Sequence, residues 1–167
     1  SDAFFLDTFG RPNRDIIPLI WGEDVTAERM REIGEEKERV YRELVTGMVP
    51  LMIGCREVLA RLGEAGFVMA VATSGSPENL KLVLEETGIG GHFRTTVTAR
   101  DVPRGKPAPD CFLLAAERCG LAPSACVVVE DAPAGLAAAR AAGMPAIGLV
   151  GTHPAERLRE AGATRVA

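Results

Sequence analysis

The chain has 167 residues, 47% hydrophobic and 25% charged, an ordinary globular mixture long enough to bury one core. Its net charge of −4 gives no basic footprint for nucleic acid or an anionic membrane. No apolar run approaches the roughly 20 residues that span a bilayer, and Ser1-Asp2-Ala3-Phe4-Phe5 lacks the basic start of a signal peptide, so a cytoplasmic protein is expected.

From Phe4 to Met48 the pattern is helical. Arg11-Pro12-Asn13-Arg14 reads as a turn into the apolar run Ile16, Ile17, Leu19, Ile20, which Trp21-Gly22 ends. Thr26 then caps a second helix opening at Ala27. Met30, Ile33, Lys37, Tyr41 and Leu44 supply its packing face, with Lys37 snorkelling, and Glu35 to Arg39 supply a solvated one. After Pro50 the character changes. A helix carries Val58, Leu59 and Leu62 and closes at Gly66; Phe67 to Ala72 is a continuous apolar run, the form of a strand buried on both faces. Then come a helix over 77–86, a strand over 93–98, and a helix from Pro109. A second buried-type strand follows over 125–129, an Ala-rich helix over 134–142, a strand over 145–150, a helix over 154–160 and a final strand over 163–166. Strand and helix alternate from about residue 50 to the end, which predicts an α/β fold with a Rossmann-like parallel sheet over 50–167 and a separate helical piece over 1–49.

In such folds ligands bind where strands end at their carboxyl side. Three strand ends carry chemistry. After Ala72 comes Thr73-Ser74-Gly75-Ser76-Pro77, small hydroxyls and a glycine ahead of a helix start, able to grip an anion or simply to turn and cap. After the second strand comes Gly105-Lys106-Pro107-Ala108-Pro109-Asp110. Two prolines are expected to hold this loop extended, so that Lys106 meets a phosphate; the plain alternative is a surface lysine. After Val127-Val128-Val129 comes Glu130-Asp131-Ala132-Pro133-Ala134-Gly135. Adjacent carboxylates at a strand mouth suit a hard cation such as magnesium, and Asp131 also suits a helix N-cap. Hydroxyl, lysine and acid pair, each between a strand and a helix, together supply a phosphate grip and most of a magnesium site.

The four cysteines, Cys55, Cys111, Cys119 and Cys126, form no CxxC pair, and His92 and His153 are the only histidines. Reduced, buried thiols are expected, with neither a zinc site nor a cysteine nucleophile.

These motifs resemble those of the haloacid dehalogenase-like (HAD-like) superfamily, in its phosphatase and beta-phosphoglucomutase branch, over essentially the whole chain. The resemblance implies that Ser74 and Gly75 bind phosphate, that Lys106 is the phosphate-site lysine, and that Asp131 ligates Mg2+ with Glu130 as its partner. Phe9-Gly10-Arg11-Pro12-Asn13-Arg14 resembles the later part of the helical cap of these enzymes, with Arg11 or Arg14 turned to the substrate. The implied activity is a magnesium-dependent phosphatase of small phosphorylated metabolites, acting through an aspartyl phosphate as a monomer or weak dimer. A phosphosugar mutase is the near alternative, and a non-catalytic binding module the distant one. The family's first motif, Asp-x-Asp-Gly, has no counterpart in the 167 residues. The stretch Phe4-Phe5-Leu6-Asp7-Thr8-Phe9-Gly10 imitates it but stands too close to the core. A first strand bearing the nucleophile is therefore expected upstream of Ser1.

Overall fold

The computed structural model describes residues 4, 8 and 10–167. Expectations placed on Asp7 and Phe9 lie outside the described residues. Helix α1 (Asn13–Trp21) follows Pro12, and helix α2 (Ala27–Val45) follows Thr26, whose hydroxyl accepts from the Arg29 amide at 3.2 Å as a cap should. The two helices pack through Ile17 of α1, which lies against buried Gly34 of α2. This corrects the expected packing face: Tyr41 and Leu44 are exposed. A glycine lets two helix axes approach more closely than the bulky stripe allows, and it turns the Gly34–Glu38 side inward instead.

Helix α3 (Cys55–Glu64) leads to strand β1 (Ala70–Ala72), then helix α4 (Pro77–Thr87) and strand β2 (Thr95–Val97). Helix α5 (Asp110–Cys119), strand β3 (Val128–Glu130), helix α6 (Pro133–Ala141), strand β4 (Ala146–Gly148), helix α7 (Ala155–Ala161) and strand β5 (Arg165–Val166) complete the order. Among the described residues all strand pairings are parallel. Ala70 faces Thr95 in the ladder β1–β2, and Val128 faces Ala146 in the ladder β3–β4–β5. The strands are shorter than their apolar runs suggested because pairing starts late. The Arg94 amide reaches the Met69 carbonyl at 2.8 Å, while Phe67 and Val68 lie outside the ladder and are exposed.

One core joins the two ladders. Val97, Phe112, Ala116, Val128, Leu136 and Leu158 are buried in one cluster to which β2, β3 and the helices α5, α6 and α7 all contribute. The small side chains of α6 set this geometry. Ala138 and Ala139 are fully buried beside Leu136, so the helix lies close to the sheet. Burying Leu136 fully contributes about 1.5–3 kcal/mol. The expectation of strands buried on both faces is corrected for β3. Val128 is buried, but Val127 is 60% and Val129 58% exposed, because α5 and α6 cover one face only. Cys111 is buried as expected, whereas Cys55, Cys119 and Cys126 are half-buried. Burial pushes the Cys111 and Cys126 thiols up. Among the described residues no helix is long and apolar enough to cross a membrane.

Candidate active site at the ends of three strands

The turn after β1 divides its hydroxyls between local and distant partners. Thr73 Oγ1 accepts the Gly75 amide at 3.0 Å, and Ser76 caps α4 by accepting the Asn79 amide at 3.2 Å. Both are turn chemistry, and Gly75 N–H is engaged inside its own turn. Ser74 points elsewhere: its hydroxyl donates to the Gly10 carbonyl at 2.8 Å. The sequence reading left turn and anion grip open together, and the structure assigns the first to Thr73 and Ser76 while turning Ser74 to the Gly10 carbonyl.

The loop after β2 is anchored before the lysine arrives. Thr98 donates its amide and its hydroxyl to Asp101 at 2.8 and 2.7 Å, and Arg118 donates to the other Asp101 oxygen at 2.7 Å. The Thr98 hydroxyl, then Arg118, hold the Asp101 carboxyl down at about 2. The loop is a turn rather than the extended segment expected. Ala108 N–H reaches the Gly105 carbonyl at 2.9 Å, and the Lys106–Pro107 peptide is cis.

Lys106 is not a surface lysine. It is 5% exposed, and its ammonium stands between the two ladders. Nζ lies 3.2 Å from the Ala72 carbonyl at the end of β1 and 2.8 Å from Glu130 Oε2 at the end of β3. The Phe112 ring lies beneath it, 4.8 Å from Nζ to the centroid. Glu130 is fixed on its other oxygen, which accepts the Ala132 amide at 3.3 Å. Its carboxylate folds over the first turn of α6, and only a glycine leaves room: a Cβ at Gly135 would sit 2.2 Å from Glu130 Cδ. Both Glu130 oxygens therefore face the protein's own donors. Asp131 beside it is half-buried.

Residues 10–14 seat against all three turns. Besides the bond to Ser74, a Cβ at Gly10 would stand 2.8 Å from Ala132 Cβ, and one at Gly105 would stand 2.4 Å from Pro12. Both arginines predicted to face a substrate are exposed; Arg14 lies beside Gly105, with its guanidinium 3.4 Å from that Cβ position, and 4.0 Å from Asp15. A second junction was not foreseen. Glu38 of α2 accepts from Asn13 at 2.5 Å, from Lys37 at 2.9 Å and from Asn79 of α4, and Arg42 donates to Asn79 at 2.8 Å. Burial pushes the Glu38 carboxyl up, but the donors, Lys37 first, outweigh it and hold it below the usual range. The only sequence signal was a polar Asn after the Ser-Pro cap.

Charge and geometry suit a group that is anionic and oxygen-rich. Lys106 and Arg14 are cationic, Ser74 donates, and Asp131 offers a hard oxygen ligand at a strand end. Among the described residues no group of three His, Cys, Asp or Glu could hold a metal, so Asp131 could supply one oxygen ligand to a hard cation but not a complete site.

A family model described as a haloacid dehalogenase-like hydrolase matches residues 9–143. Hexitol phosphatase A of Escherichia coli is 42% identical over 137 residues, covering 82% of this chain and 60% of that protein. Beta-phosphoglucomutase of Bacillus subtilis is 32% identical over 126 residues, covering 74% and 55% respectively. Among solved structures, a hydrolase from Pseudomonas syringae superposes with a TM-score of 0.88 at 27% identity, covering 98% of this chain and 76% of that one. The chain spans about half the length of the curated relatives it matches, 45%, 60% and 51% of three of them.

Proposed function

From the premise that this chain belongs to the haloacid dehalogenase-like hydrolases, we propose that it forms the larger part of a magnesium-dependent phosphatase acting on small sugar or polyol phosphates. The observation that carries the reading is the position of Lys106. Its ammonium is buried and joined to the end of β1 at Ala72, just before Ser74, and to the end of β3 at Glu130, next to Asp131. A fixed cation in a dry site stabilises charge far better than one that water must first leave. The names of relatives such as hexitol phosphatase A and a fructose-1-phosphate phosphatase support the substrate class.

Each residue then has a stated task. Lys106 offsets negative charge on the transferring phosphoryl group. Ser74 exchanges the Gly10 carbonyl for a phosphoryl oxygen and fixes its direction. Glu130, with both oxygens engaged, holds Lys106 in place, and this replaces its expected part as a metal partner. Asp131 would hold magnesium, which when bound supplies further positive charge to the same group. Residues 1–49 act as a cap, in which Arg14, beside Gly105, faces the part of the substrate that leaves. We assign the attacking carboxylate to a segment upstream of Ser1, and the phosphoryl group passes to it and then to water.

The test is inorganic phosphate release by the full-length protein from a panel of sugar and polyol phosphates, with and without magnesium. Magnesium-dependent turnover is expected, and its loss when the upstream aspartate is changed to Asn. Interconversion of hexose phosphates primed by a bisphosphate, without net phosphate release, would replace the phosphatase by a mutase. No activity of either kind would overturn the reading.

A further inference from the structure

His153 belongs to none of the three motifs, yet it is 2% exposed, among the most deeply buried large side chains of the chain. It lies on the segment 149–154 between β4 and α7. That segment is fixed at both ends: the Leu149 amide donates to the Glu130 carbonyl at 2.8 Å, and the Leu158 amide to the Pro154 carbonyl at 3.3 Å. From there Nδ1 comes within 3.3 Å of the Asp131 backbone carbonyl. A carbonyl can only accept, so the contact requires a proton on Nδ1.

The other edge of the same peptide unit is also held, because the Ala132 amide donates to Glu130 Oε1 at 3.3 Å. The Asp131–Ala132 peptide plane is thus gripped on its carbonyl by His153 and on its amide by Glu130, which Lys106 fixes in turn. Downstream, Ala132 is fully buried, and its carbonyl accepts the Leu136 amide at 3.1 Å as α6 begins. Turning this plane would change ψ of Asp131 and swing the plane against the Cα–Cβ bond, so a clamped plane aims the carboxylate. An aliphatic side chain could fill the same space without the cost of burying imidazole nitrogens.

We propose that His153 is a positioning residue for Asp131, holding the peptide plane from which the carboxylate reaches the metal. This rests on the magnesium reading of Asp131 above. Groups that orient a metal ligand typically change metal affinity by about 10–100-fold when removed. The experiment is magnesium titration of the full-length protein by calorimetry, without substrate, for the parent, His153→Asn, His153→Gln and His153→Leu. The Asn amide reaches where Nδ1 stands, and the Gln amide extends past it. His153→Asn is expected to keep the parent Kd within about 3-fold, while His153→Leu weakens it about 10-fold or more and leaves KM at saturating magnesium unchanged. A Leu variant that binds magnesium like the parent overturns the proposal. If the Leu variant does not fold, the comparison passes to Asn and Gln: weaker binding by Gln supports the role, and equal binding overturns it. Loss of folding in the Asn variant as well reduces His153 to packing and overturns it too. A parent that binds no magnesium overturns the metal reading itself.

Discussion

The α/β part and the helix α2 both use opposite charges, to different ends. Lys106 and Glu130 meet at 2.8 Å with side chains 6% and 11% exposed. On α2, Arg39 meets Glu36 at 2.6 Å and also pairs with Glu43, with side chains 50–62% exposed. The exposed pairs exchange one hydrated geometry for another, and salt screens them. The buried pair has given up its water, so each charge depends on the other and on the Ala72 carbonyl and the Ala132 amide. The exposed contacts are no longer than the buried one; the surrounding medium decides whether a pair organises its neighbours or merely decorates a helix.

The sharpest way to break the comparison is Lys106→Ala. It removes the cation from the proposed phosphate site and strands Glu130 without its partner. In the full-length protein kcat/KM is expected to fall by a factor of about 100 or more, and unfolding free energy by about 3–5 kcal/mol. The paired change Lys106→Met with Glu130→Gln separates the two effects: stability should return and activity should not. Urea denaturation and phosphate-release kinetics on both variants check it, and a fully active Lys106→Ala protein would reduce this buried lysine to a structural role.

Next in size is Gly135→Ala. The added Cβ falls 2.2 Å from Glu130 Cδ, so the carboxylate must leave its place over α6 and loosen its hold on Lys106. Overpacking of this kind costs about 1–3 kcal/mol. The expected outcome is a stability loss in that range together with a fall in kcat, although residue 135 touches no substrate. Unchanged kcat would show that Glu130 does not hold Lys106 in its working position.

The places of the candidate site residues were legible before the fold. Ser74, Lys106 and Asp131 lie where parallel strands must end, and each strand end is marked locally by apolar residues before it and a Pro or Ser helix start after it. The job of Glu130 was not legible. Its adjacency to Asp131 suggested a shared cation, but successive residues leaving a strand point to opposite sides, and its partner lies 24 residues away on another loop. The Glu38 junction was hidden for the same reason, since its bonds to Asn13 and Asn79 span 25 and 41 residues. The face of α2 was misjudged because hydrophobic spacing favours Tyr41 and Leu44, whereas close approach at Gly34 decided the packing. Arg11 or Arg14 was expected to face the substrate on family likeness, but that Gly10 and Pro12 fit beside Ala132 and Gly105 follows from steric room that no pattern records.

Asp101 stands between the two extremes of the comparison, a half-exposed carboxylate with strong local donors. Its folded pKa lies at about 2, below the usual 3.8, because Thr98 and Arg118 favour the charged form. A depressed carboxylate contributes stability in full above its unfolded pKa and loses it as pH falls through the folded one. That window is pH 3.8 down to about 2. Asp101→Asn should therefore lower the urea midpoint at pH 6, and the gap to the parent should close as pH approaches 2. A gap that stays constant over the window would mean that the charge of Asp101 is not what holds the loop ahead of Lys106.

The smallest effect is expected on α2, and it completes the comparison from the other side. Arg39 has two acidic partners at short range, one turn away in each direction, and counted as contacts it outranks Lys106. The carboxylates hold the Arg39 guanidinium above its usual range, through the Glu36 hydrogen bond first. That preference operates in water, where an isolated arginine is already charged and well hydrated, so little is gained on folding. Arg39→Ala leaves two glutamates that solvent accepts without penalty, and Ala is the better helix former at the vacated position. The thermal midpoint of the full-length protein should move by no more than about 1 °C, and any difference should vanish as salt is raised, because the Debye length contracts to about 3 Å at 1 M. Phosphate release should be unchanged. A loss in Arg39→Ala that approaches the loss in Lys106→Ala, and that persists in high salt, would mean that the exposed ladder on α2 supports the fold as the buried pair does, and burial would no longer distinguish the two regions.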